Sequence, residues 1–161
     1  MFRLTNEAND WYKRIKANGI NTPLFMEEWD LYYLCLLYGI TEGEVEVKNQ
    51  DGTKDMAKGF SKRYSASKFS LLTMLMMAHA QRLKIDLTDK KELQKVLKTF
   101  IDTDHESGLS KTAIDKMNQY AAAGFSLLSD KVPVMQNSSL AIKRIHNDLN
   151  KKMESFAKKF K

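Results

Sequence analysis

The side chains best able to do chemistry in this chain are its cations. Residues 58–65, Lys58-Gly59-Phe60-Ser61-Lys62-Arg63-Tyr64-Ser65, interleave positive charge with aromatic rings and small polar groups. That mixture suits phosphate contact and base stacking, and it suits equally an exposed linker entering a helix. Residues 54–68 hold Lys54, Lys58, Lys62, Arg63 and Lys68 against Asp55 alone. Residues 141–161 hold Lys143, Arg144, Lys151, Lys152, Lys158, Lys159 and Lys161 against Asp148 and Glu154. Residues 24–47, by contrast, carry six acids and no Lys or Arg. The formal charge of +6 is therefore unevenly placed, mostly in the tail. Such clustering can be the electrostatic footprint of phosphate backbone, and it can be a solvated face that keeps the chain soluble. The phosphate reading nominates Lys58, Lys62, Arg63, Lys68, Lys143, Arg144, Lys151 and Lys152.

Groups for catalysis are sparse. Asp102-Thr103-Asp104-His105-Glu106-Ser107 imitates the opening of a calcium loop, with acids at the first, third and fifth positions. Ser107 stands where the loop needs glycine, and Ala113 where it needs a bidentate Glu. Paired acids with a histidine could also serve a metal-assisted nuclease, but in a polar interhelical turn their ordinary work is to end and cap helices. There is no Gly-rich phosphate loop, Cys-x-x-Cys, nucleophile elbow or His-Glu-x-x-His. His79 is spaced with an apolar stripe and reads as a satisfied core histidine, and His146 beside Asp148 as a surface residue. Cys35, the one cysteine, lies in Leu34-Cys35-Leu36-Leu37 and reads as a small buried hydrophobe. The sequence thus calls for no enzyme, cofactor or metal.

These groups must be positioned by helices. With 161 residues, 43% of them hydrophobic, the chain is long enough for one domain with a real core. Residues 67–84 are the least polar long stretch: Phe69, Leu72, Met76, His79, Ala80 and Leu83 share one helical face, and Leu71, Met74, Leu75, Met77 and Ala78 fill the other. A helix apolar almost all round is expected at the centre, with its three methionines as adaptable core filler.

Before it come a first helix capped by Thr5 and ended by Gly19, with Ala8, Trp11 and Ile15 inward, and a second restarted at Thr22-Pro23 and ended by Gly39. In the second, Tyr32, Tyr33 and Tyr38 are set among leucines and acids, which favours packing over base stacking. Residues 41–59 form a loop or short hairpin, because Glu44-Val45-Glu46-Val47 alternates and Asn49-Gln50-Asp51-Gly52 reads as a turn. The whole of 41–66 is expected as a mobile basic segment.

After it, Asp86-Leu87-Thr88 caps a helix with Leu93, Val96, Leu97, Phe100 and Ile101 inward. Ser110 opens the next, whose small run Ala121-Ala122-Ala123-Gly124 admits a close neighbour from this chain or another subunit. An amphipathic basic helix closes the chain at 139–161. The expected fold is all-α, a single-domain bundle of about six helices over 1–161. No apolar run approaches the roughly 20 residues of a membrane span and no leader is visible, so the expectation is a cytoplasmic protein without membrane contact.

Phe2-Arg3-Leu4-Thr5-Asn6-Glu7-Ala8-Asn9, then Lys13-Arg14-Ile15-Lys16 closing on Gly19-Ile20, resembles the start of DndE, the small accessory protein of bacterial DNA phosphorothioation systems. Tyr120-Ala121-Ala122-Ala123-Gly124-Phe125-Ser126-Leu127-Leu128 is similar to that family's C-terminal helix. The match covers about the first twenty residues. The acidic second helix, residues 41–59 and the basic final helix have no counterpart in it. The resemblance implies an all-helical, DNA-associated, oligomeric protein without catalysis of its own, working with sulfur-modification or phage-defence partners. It adds Lys13 and Lys16 to the candidate phosphate contacts.

Two readings follow. In the first, the chain is a non-enzymatic DNA-binding accessory subunit of a bacterial DNA-modification or phage-defence system, holding phosphates without reading base sequence. In the second, it is a helical adaptor in a larger complex, without direct DNA binding, whose acidic second helix and 121–124 face meet protein partners.

Overall fold

The computed structural model describes residues 1–17, 27–47, 50–131 and 138–160. Within them the chain is a mostly helical bundle: β1 (Phe2–Thr5), α1 (Asn6–Ala17), α2 (Glu28–Glu42), β2 (Thr53–Ala57), α3 (Lys68–Arg82), α4 (Lys90–Phe100), α5 (Lys111–Lys131) and α6 (Ser138–Lys158). The all-α bundle of six helices expected from periodicity is present, with one small sheet added.

Thr5 caps α1 as expected, its Oγ1 accepting the Ala8 N–H at 3.1 Å while only 5% exposed. Thr5→Ala is expected to cost about 1 kcal/mol, read as a lower urea midpoint at unchanged slope; an unchanged midpoint would show the cap to be idle. Gly19 and Thr22-Pro23 lie outside the described residues. The second helix begins at Glu28, where the Asp30 carboxylate accepts the Glu27 N–H at 2.9 Å, a reach-back bond of the capping-box kind. It also runs through Gly39 to Glu42, and Gly43, at φ +74°, supplies the left-handed residue that ends it.

The centre of the bundle is α2, not the 67–84 helix. Every α2 residue from Trp29 to Thr41 is buried except Tyr33. In α3 only Leu71, Leu72, Leu75, Ala78 and Ala80 are, while Phe69 is 73% and Leu83 54% exposed. Apolar composition alone cannot rank two such helices. What decides is that α2 has α5 on one side and α6, α1 and α3 on others. The α2–α5 crossing is close because both helices present glycine there: a Cβ built on Gly39 would overlap the carbonyl of Tyr120, and one built on Gly124 the carbonyl of Cys35. The small-residue run of α5 therefore meets this chain's own α2.

Among the described residues of 41–59 no local hairpin forms. β2 instead pairs antiparallel with β1, Phe2 facing Ala57 and Thr5 facing Thr53, with an irregularity after Phe2. Residues 44–47 form no strand, the Glu46 N–H bonding the Gln119 carbonyl of α5 at 3.0 Å instead, and it is 53–57 that finds its partner in the chain's first residues. Two other expectations shift at helix ends. Asp86 accepts from Thr88 N and Oγ1, but the cap of α4 is Asp89, which accepts from Lys91 N and Glu92 N. Ile101, past the end of α4, is 42% exposed. Ser110 does open α5, its Oγ accepting the Ala113 N–H.

Candidate nucleic-acid interface

The basic–aromatic segment 58–65 is docked, and its rings do the docking. Phe60 stacks on Trp29 at 5.2 Å between centroids and meets Phe2 edge-on, while Tyr64 lies against Trp29 and Tyr33. Phe60 and Tyr64 are therefore packing residues, anchored to the first turns of α2 by aromatic contact.

Beneath them sits a polar hub that no motif announced. The Asp30 side chain is 2% exposed and receives Arg63 Nη1 at 3.1 Å, the Tyr64 hydroxyl and the Glu27 N–H. Ser61 donates to Glu27 and Lys54 pairs with Glu28. Burial and the Asp30 carboxylate push the Tyr64 phenol far above its ordinary pKa, so it stays a hydrogen-bond donor. Burying a carboxylate is costly unless it is paired and hydrogen-bonded in this way. The only sequence signal for it was the reach-back spacing of Asp30 from Glu27.

The nominated cations divide in two. Arg63 is held by Asp30; Lys152 is held by Glu42 and lies 5.9 Å from the Tyr38 ring centre. Lys13 makes an exposed i,i+3 pair with Asp10 at 3.4 Å, Lys16 lies over the Tyr12 ring, and Lys68 over the Phe69 ring. Lys58, Lys62, Lys143, Arg144 and Lys151 are exposed and make no ion pair among the described residues. Lys158 and Lys159, not nominated, share that condition.

On α6 the buried residues Ile145 and Phe156, with partly buried Leu149 and Lys152, mark the inward side. Arg144, Lys151 and Lys158 recur every seven residues off that side, about 10 Å apart along the helix axis. The nearby acid Asp148 is taken by Lys131 at 2.7 Å. Burial raises the Asp148 pKa, but the Lys131 and Tyr38 hydrogen bonds outweigh it and leave the carboxyl below its usual range.

The two basic stretches, some eighty residues apart, each lend a wall to one groove, although none of the nominated cations lines it. A groove of about 260 Å³ is walled by Tyr33, Leu34 and Leu37 of α2, by Tyr64, and by Ile145 and Leu149 of α6. His146 stands on its rim. The chain matches no protein-family model, no curated protein and no solved structure.

The other nominated groups are engaged locally. Asp102 accepts the Asp104 N–H, and His105 Nδ1 bonds Ser107, so both shape the turn before α5. Cys35 is fully buried and burial pushes its thiol far up, which keeps it protonated. His79 is partly buried against Phe100, and burial, Lys116 and Arg82 lower its pKa. The surfaces first assigned to protein partners, α2 and 121–124, cover one another. No described helix is long and apolar enough to cross a membrane.

Proposed function

We propose that this protein is a non-enzymatic DNA-binding accessory subunit that grips the phosphate backbone without reading base sequence. The observation that carries the reading is the partition of charge. The acids Asp30, Glu28 and Glu42 are matched by Arg63, Lys54 and Lys152 within the fold, so the cations left over form the outward field. Those cations are Lys58 and Lys62 within the docked segment and Lys143, Arg144, Lys151, Lys158 and Lys159 along α6. A surface with unmatched lysines in two neighbouring stretches gains free energy by releasing counterions from a polyanion. The resemblance of about the first twenty residues to DndE is what supports reading such an activity as part of DNA modification or phage defence, with Lys13 and Lys16 as added contacts.

Binding of a labelled duplex, followed by fluorescence anisotropy across a salt series, tests this. The expected log–log slope is about −0.9 per phosphate contact, or roughly −4.5 if five contacts form. The double variant Arg144→Glu/Lys151→Glu is expected to weaken binding more than about tenfold at low salt, with unchanged circular dichroism. Affinity indifferent to salt, or to that double reversal, rules the reading out.

A further inference from the structure

A cavity of about 530 Å³ lies between β1, β2, the first half of α5 and the turn before it. That volume is in the range of small-molecule sites. Asn118 fixes its walls: the side-chain oxygen accepts the Arg3 N–H at 3.0 Å and the Tyr32 hydroxyl at 2.9 Å, and the amide donates to the Met1 carbonyl at 3.1 Å. Several charged groups around the cavity are engaged within the fold. Arg3 Nε pairs with Asp55 at 2.7 Å, Glu46 accepts the Ser126 hydroxyl at 3.3 Å, and Asp102 accepts the Asp104 N–H at 3.1 Å.

Lys111, Asp115 and His105 are left. Lys111 and Asp115 line the cavity one turn apart on α5, and they pair neither with each other nor with any other described residue. Lysine ahead of the acid is the less favourable order for an i,i+4 pair, so both charges stay available. His105 is held by one nitrogen only. The Ser107 N–H donates to its Nδ1 at 3.1 Å, and the Ser107 hydroxyl, which accepts from the Leu109 N–H, lies 2.8 Å from the same atom. A backbone N–H can only donate, which assigns the ring proton to Nε2 and leaves that N–H without a partner among the described residues.

These three groups select a ligand by charge. A simple anion on Lys111 would meet Asp115, and a simple amine on Asp115 would meet Lys111; only a molecule carrying both charges gains at both. The two Cα atoms stand about 6 Å apart along the helix axis, room for an ammonium and a carboxylate on one carbon with a hydrogen bond at each end. Ile114 and Ala122, both buried, give the same wall an apolar part. We infer that this cavity binds an α-amino acid with an apolar side chain, its carboxylate on Lys111 Nζ and the His105 Nε2–H, its ammonium on Asp115 and its side chain against Ile114 and Ala122. The inference does not rest on the proposed phosphate contacts, none of which lines the cavity.

The full chain is titrated calorimetrically with L-leucine and with its two halves, 4-methylpentanoate, which lacks the ammonium, and 3-methylbutylamine, which lacks the carboxylate. Leucine is expected to bind at least about tenfold tighter than either half and to raise the melting temperature as its concentration rises. Glycine, without the side chain, should bind about tenfold more weakly than leucine. Lys111→Met and Asp115→Asn, both at exposed positions, should each weaken leucine by about tenfold or more, with circular dichroism unchanged. Absent leucine binding, a half that binds as well as the whole, glycine equal to leucine, or indifference to either substitution overturns the inference.

Discussion

Gly124→Ala is expected to destabilise the protein by about 3 kcal/mol, a large share of the roughly 5–15 kcal/mol that hold a domain folded. In isolation the change favours a helix, since alanine is about 1 kcal/mol better than glycine in a helix interior. Here a Cβ would overlap the Cys35 carbonyl and stand 2.7 Å from the Gly39 nitrogen. Both are backbone atoms inside α2, and neither can swing away as a side chain could. The two helices would have to separate, opening the packing around Tyr32, Tyr38 and Tyr120, all fully buried. Gly39→Ala should behave alike, because its Cβ would overlap the Tyr120 carbonyl. Gly43→Ala is the control: nothing lies within 4 Å, so only the left-handed backbone at φ +74° opposes it, at about 1 kcal/mol. Thermal and urea unfolding of the three variants would decide the matter. A Gly124→Ala protein as stable as the parent would show that the crossing is looser than described.

Asp30→Ala should cost about 3 kcal/mol and also loosen the segment that carries Lys58 and Lys62. Removing the carboxylate strands the Tyr64 hydroxyl and the Glu27 N–H, while Arg63, about half exposed, recovers hydration. The loss is therefore set mainly by these two part-buried donors. Tyr64→Phe should lose less, because Asp30 keeps Arg63 and the Glu27 N–H, and the ring contacts with Trp29 and Tyr33 survive. Hydrogen exchange on residues 58–67 reads the second effect: faster exchange is expected in Asp30→Ala. Protection equal to the parent's would mean that Phe60 on Trp29 holds the segment by itself.

Helices were legible because their signals are local. Thr5 before an apolar repeat, Ser110 before Ala113 and Ile114, and the stripe of α6 each lie within a turn or two of what they specify. Gly39 was misread as a helix end for the same reason: within its own segment a glycine after Tyr38 resembles a stop, and only the Tyr120 backbone across the crossing explains it. The pairing of residues 2–5 with 53–57 joins segments about fifty residues apart and leaves no mark in either alone.

The candidate interface divides along the same line. Composition by itself determined that cations cluster at 54–68 and 141–161 and acids at 24–47, because charge is a property of residue type. Which cations remain outward was decided by the tertiary structure, through the buried carboxylate of Asp30 under Arg63 and the capture of Lys152 by Glu42. Which apolar helix is central was decided there too. A helix's own residues state how much apolar surface it offers, but burial depends on what packs against it. α5 and α6 close over α2 and leave Phe69 of α3, and Leu83 just past its end, in water.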